Sequence, residues 1–430
     1  MAILLSLSPA GVRTAAALDA FAIAAQDVPE FRLGATPLLE IGREGHPAFQ
    51  FASITGVRLL DDGRVVVSDA GAREIRVFSS EGAHLITLGG PGEGPGEFQS
   101  LDGLWTSGDG VIRAWDAENQ RITTFSANPL DASARTQRVQ TPVNSGLRNP
   151  PQAFLGAFSN GDVVLASLAV GGPPGPSPVA DRWFLGRFGS DGSFRELLGE
   201  LRGMRRLQGF PIPFSPLPRV AVVGDSVFAA DGYEARISLL VPERVSSPRH
   251  FAFPPRIETP GVGEAWESLQ AALEAEGGSL FLERMGDMPR PEAFPEVGGM
   301  LPAEESTGKR NGILWVQRYN PFVDSVWLRD GLRPGAGGEW VLIDADGTVT
   351  AVLRVPDTFI PMHIAGHRLA GIVIDLLGVE RVAVYSLESD PGHFDASDNH
   401  PHVRRQLLHG NDTNPVGLRP ERSGRVCRER

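Results

Sequence analysis

The chain has 430 residues, one cysteine, 51 glycines, 35 prolines and a formal net charge of -12. A negative charge of this size repels phosphate backbones and disfavours general nucleic-acid binding, so an RNA-binding role would need a large basic face. The single Cys427 excludes an intramolecular disulfide and a cysteine-based zinc site. The many glycines and prolines indicate many turns, as all-β folds with short strands require.

Residues 1–26 are nearly all small or apolar, and Ala22-Ile23-Ala24 would suit the small-x-small cleavage site of a secretory signal peptide. A basic start is missing, however, and Asp19 interrupts the apolar stretch. We therefore expect residues 1–35 to be a leader, either a signal peptide or a segment that precedes the fold. A signal peptide would make the protein periplasmic or extracellular, and otherwise it would be cytoplasmic. After this leader, no apolar run approaches the roughly 18 residues of a membrane-spanning helix.

Residues 53–98 and 100–126 follow one plan: an apolar strand, a polar turn with glycine, an alternating strand ending in Asp69 or Asp116, and a strand closing on phenylalanine. Four short strands repeating about every 50 residues are the signature of a propeller blade. The turn glycine recurs along the chain, at Gly63, Gly110, Gly161, Gly224, Gly312 and Gly366.

These glycines predict an all-β fold over residues 36–388, a six-bladed β-propeller of four-stranded blades. We expect the blades to begin near residues 53, 100, 151, 213, 294 and 359. Pairing of Leu38–Ile41 with Val382–Tyr385 in the last blade would close the ring and protect the sheet edges.

A helical insert at about residues 257–290 is predicted between the fourth and fifth blades. Trp266, Leu269 and Leu273 fall on one face of a helix over Gly263–Glu276, and a second short helix is expected in Ser279–Met285. The insert could form a lid over one face or fill a blade junction, and its apolar stripe favours structural packing.

Two further segments are predicted to lack regular structure. Gly171–Pro178 is predicted to be a protruding loop within the third blade, because its prolines and glycines fit neither a strand nor a helix. Residues 389–430 are predicted to be a disordered tail, because they are rich in arginine and show little periodicity in their apolar residues.

The run Gly89–Phe98, followed by a strand, a turn glycine and Asn119-Gln120-Arg121-Ile122, resembles the NHL repeat. The match is specific over residues 53–126, whereas Gly232–Arg236 matches the turn of the repeat only in part. Later segments resemble bacterial six-bladed β-propellers, many of them exported; they are Gly312–Val316, Trp340–Gly347 and Asp375–Val382. The resemblance implies the fold and a binding surface. It leaves function open, because such propellers include protein-binding, RNA-binding and enzymatic members.

Recurring charges are the first candidate for chemistry. Each of three aspartates is followed four or five residues later by an arginine, giving the pairs Asp69 with Arg73, Asp116 with Arg121, and Asp231 with Arg236. They could form a ring that binds a cation or a polar ligand, or they could hold turns by charge-assisted hydrogen bonds. Their repetition favours the structural interpretation, because sites on repeat folds are usually built from what differs between modules.

Other candidates are weaker. His363 and His367 lie in strand-like sequence, where a four-residue spacing of about 13 Å is too long for one metal ion. Gly89–Gly96 leads into a strand, so it indicates a turn between blades and not a phosphate cradle. Tryptophans in apolar strands indicate packing between blades; they are Trp105, Trp115, Trp183, Trp315, Trp327 and Trp340.

The sequence thus favours a monomeric, non-catalytic binding or scaffold propeller whose partner is a protein, a peptide or a small ligand, held on one face or in the central channel. No residue is assigned to a catalytic, binding or metal site, and no cofactor is expected. The alternative is a calcium-dependent hydrolase or lactonase with its metal in the central channel. Three or more carboxylate or amide oxygens at the channel mouth would favour that enzyme, and an apolar plug would favour the scaffold.

Overall fold

The fold is described from a computed structural model, and the leader up to residue 27 and the tail from residue 390 lie outside the described residues. Trp327 also lies outside them, as do residues 172–174 of the proline-rich loop. The structure describes residues 28–42, 45–107, 110–126, 128, 131–171, 175–242, 248–253, 261–275, 279–303, 312–321, 334–375 and 377–389.

Nearly all regular elements among the described residues are strands, which confirms the predicted all-β class. The first strands in chain order are β1 Glu30–Leu33, β2 Leu39–Ile41, β3 Ile54–Leu59, β4 Val65–Asp69, β5 Glu74–Phe78, β6 His84–Gly89, β7 Gly103–Thr106, β8 Ile112–Asp116, β9 Arg121–Phe125, β10 Ala134–Arg138, β11 Ala153–Ala157, β12 Val163–Ala169 and β13 Val179–Phe188. The remaining strands are β14 Phe194–Leu207, β15 Phe210–Pro211, β16 Arg219–Val223, β17 Ser226–Ala230, β18 Arg236–Leu240, β19 Arg249–Ala252, β20 Val297–Pro302, β21 Gly312–Arg318, β22 Gly338–Asp344, β23 Val349–Val355, β24 Phe359–Ala365, β25 Arg368–Ile374 and β26 Glu380–Ser389. The helices are α1 Val262–Ala275 and α2 Ser279–Asp287, and Pro47–Phe49 forms one short 3-10 turn.

Consecutive strands pair with each other in four antiparallel meanders. These sheets contain β3–β6, β7–β10, β11–β15 and β16–β19. Their second strands are largely buried on both faces, and Val65, Val66 and Val67 of β4 are all fully buried. Such a strand must have other apolar layers on both of its sides, so each sheet is packed between two neighbours.

The last strands form a single nine-stranded sheet, which differs from the six separate blades predicted. Its order is β20-β21-β22-β23-β1-β26-β25-β24, with β2 also paired to β26. Strand β1 lies inside the segment expected to precede the fold. It runs parallel to β23, with Arg32 beside Arg354, and antiparallel to β26, with Leu33 beside Leu387. By pairing on both sides, β1 satisfies two sheet edges that would otherwise be exposed.

The predicted closing strand is confirmed. Leu39 pairs with Val384, and Ile41 pairs with Val382. Strand β2 thus supplies the outer strand of the final meander, β24–β26, from the opposite end of the chain.

The first strands of successive meanders contact one another in a cyclic order, β3–β7–β11–β16–β20–β24 and back to β3. Glycine allows these strands to approach closely. A Cβ on Gly56 would lie 2.9 Å from the Cβ of Leu104, and one on Gly103 would lie 2.5 Å from the Cβ of Phe154. Larger residues at either position would push neighbouring sheets apart.

Apolar clusters fill the space between successive meanders. In chain order they contain Val66 and Leu104, Trp115 and Val163, Leu185 and Val227, Phe228 and Leu314, Trp340 and Phe359, and Val382 and Val57. The tryptophans predicted to pack between blades do so wherever the structure describes them. Trp105, for example, stacks on Phe154 with ring centroids 4.7 Å apart.

Both predicted insert helices are confirmed, with α1 beginning at Val262 and α2 at Ser279. Trp266 is 2% exposed and shares a cluster with Phe214, in the connection between β15 and β16. The apolar stripe is therefore used for structural packing. No helix in the described part of the chain is long and apolar enough to cross a membrane.

Candidate functional site

One face of the described fold carries the connections between meanders, and we call it the connection face. In an antiparallel meander, the start of the first strand and the end of the second lie at the same edge. The recurring aspartates therefore lie on this face, together with the Gly89–Gly96 turn and the helical insert. As expected, that turn leads from β6 toward another strand, β7.

The carboxylate of Asp69 is fully buried and is held by backbone amides. It accepts hydrogen bonds from the N–H groups of Ala52 at 3.0 Å, Ser53 at 2.9 Å and Ala72 at 3.2 Å. Its nearest cation is Arg76, with 3.5 Å between Nη2 and Oδ2. The carboxylate therefore ties the start of the first meander to the turn that follows its second strand.

Asp116 repeats this arrangement in the second meander. It accepts from the backbone N–H groups of Gln99, Ser100 and Asn119 at 3.0 to 3.2 Å. Arg121 lies 3.6 Å from it and also donates to the carbonyl oxygens of Glu93 and Glu97 in the glycine-rich turn. The structural interpretation of these repeated carboxylates thus accounts for their contacts.

The arginine partners predicted from spacing are correct only for Asp116. Asp69 pairs with Arg76, and Arg73 lies in the turn between them with a left-handed backbone, at φ of 58°. Asp231 pairs instead with Arg202 at 3.0 Å. The predicted partner Arg236 contacts Glu234 at 3.1 Å. Sequence spacing could not reveal Arg202, because this arginine belongs to the preceding meander.

The two histidines have separate surroundings. His363 is buried in β24, where its Nδ1 accepts the Leu59 N–H at 3.0 Å, while His367 is exposed in the following turn. At the other end of β3, the Glu380 carboxylate accepts the Ile54 N–H at 2.6 Å. Side chains of the last meander thus hold both ends of β3. Among the described residues, no group of three or more histidine, cysteine, aspartate or glutamate side chains is placed to hold a metal ion.

A cavity of about 300 Å³ lies where β1 meets the connection between β23 and β24, and sequence reasoning missed it. Its lining residues come from β1 and the two residues after it, from β23 and the connection that follows it, and from the final meander: Arg32, Leu33, Gly34, Ala35, Arg354, Pro356, Thr358, Phe359, Val373 and Tyr385. The lining combines apolar residues with two arginines, one threonine and one tyrosine.

Neighbouring side chains position the polar groups of the cavity. Arg354 Nε lies 2.7 Å from Glu30 Oε1, and Arg354 Nη2 lies 3.7 Å from Glu339 Oε2. The Tyr385 ring packs edge-on against Phe359, with centroids 5.2 Å apart. Burial, followed by the nearby charge of Glu40, raises the pKa of Tyr385, so its hydroxyl stays protonated at neutral pH.

No family model and no curated protein matches the chain, so the NHL likeness stays a resemblance of residues 53–126. Solved structures do match. One belongs to the DUF4221 family from Bacteroides vulgatus: it is 9% identical, with a TM-score of 0.47, over 85% of this chain and 99% of that chain. Virginiamycin B lyase from Staphylococcus aureus is 12% identical, with a TM-score of 0.40, over 83% and 100% of the two chains. At these values the similarities leave the function of this chain open.

Proposed function

We propose that this chain is a six-bladed β-propeller that acts as a binding or scaffold protein and not as an enzyme. Four blades correspond to the separate meanders β3–β6, β7–β10, β11–β15 and β16–β19. The other two are β20–β23 and β24–β26 with β2, which β1 joins into one sheet. The cyclic contacts of the first strands support this count, as does the apolar cluster at each junction.

The cavity beside β1 is the observation that carries the binding role. It is concave, has an apolar wall and brings several polar groups together, which are the usual properties of a small-ligand site. The repeated carboxylates of Asp69 and Asp116 are already engaged by backbone amides, so they support a structural and not a catalytic use.

We also propose that the protein is exported and monomeric. The apolar N-terminal residues with their small-x-small cleavage site support export. The net charge of -12 favours a protein, a peptide or a small molecule over a nucleic acid as partner.

A thermal melt of the full chain in calcium and in EDTA tests this proposal against the calcium-dependent hydrolase. A ligand that binds only the native state adds about 2.7 kcal/mol of stability at a hundredfold excess over its Kd. We expect the same melting midpoint in calcium and in EDTA, and magnesium serves as the control for ionic strength. A rise of the midpoint specific to calcium, together with turnover of lactone or ester substrates, would overturn the non-catalytic role.

A further inference from the structure

We propose that the cavity beside β1 binds a small organic anion, a carboxylate or phosphate group attached to a flat apolar body. This inference rests on the binding role proposed above and adds a site and a ligand class to it. Its basis is the chemistry of the wall, the arrangement of two arginines and the size of the cavity.

The polar side chains of the wall are all hydrogen-bond donors. Arg32 and Arg354 carry guanidinium groups, and Thr358 and Tyr385 carry hydroxyls, while no lining side chain is a carboxylate. Guanidinium groups match the paired oxygens of carboxylates and phosphates, and hydrogen bonds between charged partners are roughly twice as strong as neutral ones. An anionic group is therefore the best complement to these four side chains.

The two arginines lie side by side on neighbouring strands, and each also has a glutamate as a neighbour. Arg32 lies opposite Arg354 in the parallel pairing of β1 with β23, where like charges destabilise a sheet. On its other side, Arg32 lies opposite Glu388 in the antiparallel pairing of β1 with β26, and this carboxylate offsets part of the repulsion. Glu30 and Glu339 contact Arg354 through Nε and Nη2, and both glutamates lie outside the cavity lining. Because a guanidinium group has five N–H donors, these contacts orient Arg354 without using all of its donors.

The rest of the wall fits an apolar body. Leu33, Pro356, Phe359 and Val373 line it, and the edge-on contact of Tyr385 with Phe359 fixes the position of the aromatic surface. A volume of about 300 Å³ is at the lower end for ligand sites, which indicates a small molecule. Tyr385 can donate its hydroxyl to the anion at neutral pH, because a phenol ordinarily loses its proton only near pH ~10 and burial raises the pKa of Tyr385 further.

Titration of the full chain with matched probes tests the inference, with binding followed by calorimetry or by NMR. Benzoate and its neutral counterpart benzamide have nearly the same shape, so they differ mainly in charge. We expect saturable binding of benzoate and about tenfold weaker binding of benzamide, since a charge-assisted hydrogen bond accounts for that factor. Phenyl phosphate in a parallel titration distinguishes a phosphate from a carboxylate preference.

Variants locate the binding site. Arg32→Ala is expected to weaken benzoate binding about tenfold, and Tyr385→Phe to weaken it less. Arg249→Ala is the matched control, because Arg249 is exposed like Arg32 but lies outside the cavity lining, where it pairs with Asp346 at 3.3 Å. Tyr385→Phe retains the ring and decides the question if Arg32→Ala proves unstable in a thermal melt.

Three results would overturn the inference. They are equal affinity for benzoate and benzamide, no saturation by benzoate or phenyl phosphate up to about 10 mM, and equal losses in Arg32→Ala and Arg249→Ala. Failure of the proposed function is separate, because it would show as a calcium-dependent melt with substrate turnover, whatever the benzoate titration gives. Failed anion binding with calcium-independent melts would overturn this inference alone.

Discussion

Buried carboxylates at the ends of second strands have a structural role that substitution can measure. Asp69→Ala removes the acceptor of three backbone N–H groups and the partner of the nearly buried Arg76. Breaking a buried charged network of this kind costs about 3 kcal/mol or more. We expect urea unfolding to show a loss of this size.

Asp62→Ala is the control for that measurement. Asp62 also bonds an arginine, Arg64, at 2.7 Å, but its side chain is 54% exposed. Exposed pairs contribute at most about 1 kcal/mol, so we expect little change. If Asp69→Ala costs no more than Asp62→Ala, the structural role is wrong, and a ligand-binding role for the repeated aspartates gains support.

Tyr233 provides a pH-dependent test at the same scale. Its hydroxyl donates to the Gly203 carbonyl at 2.6 Å, and Arg202 lies 4.4 Å from its ring centroid. Burial raises the pKa of Tyr233 to about 12. Because the folded state prefers the protonated phenol, its contribution to stability is complete below the unfolded pKa of ~10 and is lost as the pH rises from there to about 12.

Tyrosinate absorbance can follow this ionisation, since the chain has three tyrosines. The difference between the wild-type protein and Tyr233→Phe, recorded within seconds of a pH jump, should have its midpoint near pH 12. In urea, the same difference should titrate near ~10. A midpoint of ~10 in the folded protein would contradict the buried hydrogen bond.

At the scale of elements, helix α1 is attached through one aromatic anchor. Trp266 contacts Phe214 at 6.3 Å between ring centroids, and Arg290 lies 5.5 Å from the Trp266 ring. Removing a buried tryptophan costs about 3 to 5 kcal/mol, so Trp266→Ala should release the insert. Hydrogen exchange should then become faster in α1 and α2.

The substitution Glu267→Ala is the control on the same helix, because Glu267 is exposed. It should leave exchange in both helices unchanged, since alanine is an excellent helix former. Equal protection in Trp266→Ala and Glu267→Ala would show that the apolar stripe does not hold the insert in place.

These elements also show which features the sequence could predict. The spacing of Trp266, Leu269 and Leu273 is a local signal, and the helix formed where it was expected. The four residues of β1 carry no such signal, because their partners in β23 lie more than 300 residues away along the chain. The cavity could not be predicted for the same reason, as β1 forms one of its walls.

At the scale of the whole molecule, two short N-terminal strands join the beginning of the fold to its end. Phe31 of β1 is 8% exposed and Ile41 of β2 is 1% exposed, and each belongs to an apolar cluster that includes residues of the final meander. A chain that begins at Gly45 lacks both strands and leaves the edges of β23 and β26 unpaired.

We expect the chain beginning at Gly45 to lose more than about 5 kcal/mol, since burial of two large apolar side chains is lost together with two strand pairings. A chain beginning at Val28 retains β1 and β2. It should have the same melting midpoint as the full chain, because the proposed leader ends before β1 and adds nothing to the stability of the fold. Thermal melts and size-exclusion chromatography compare the two. Equal melting of both truncations would mean that the meanders hold together without N-terminal closure, and the stability of the ring would then rest on the apolar clusters between its sheets.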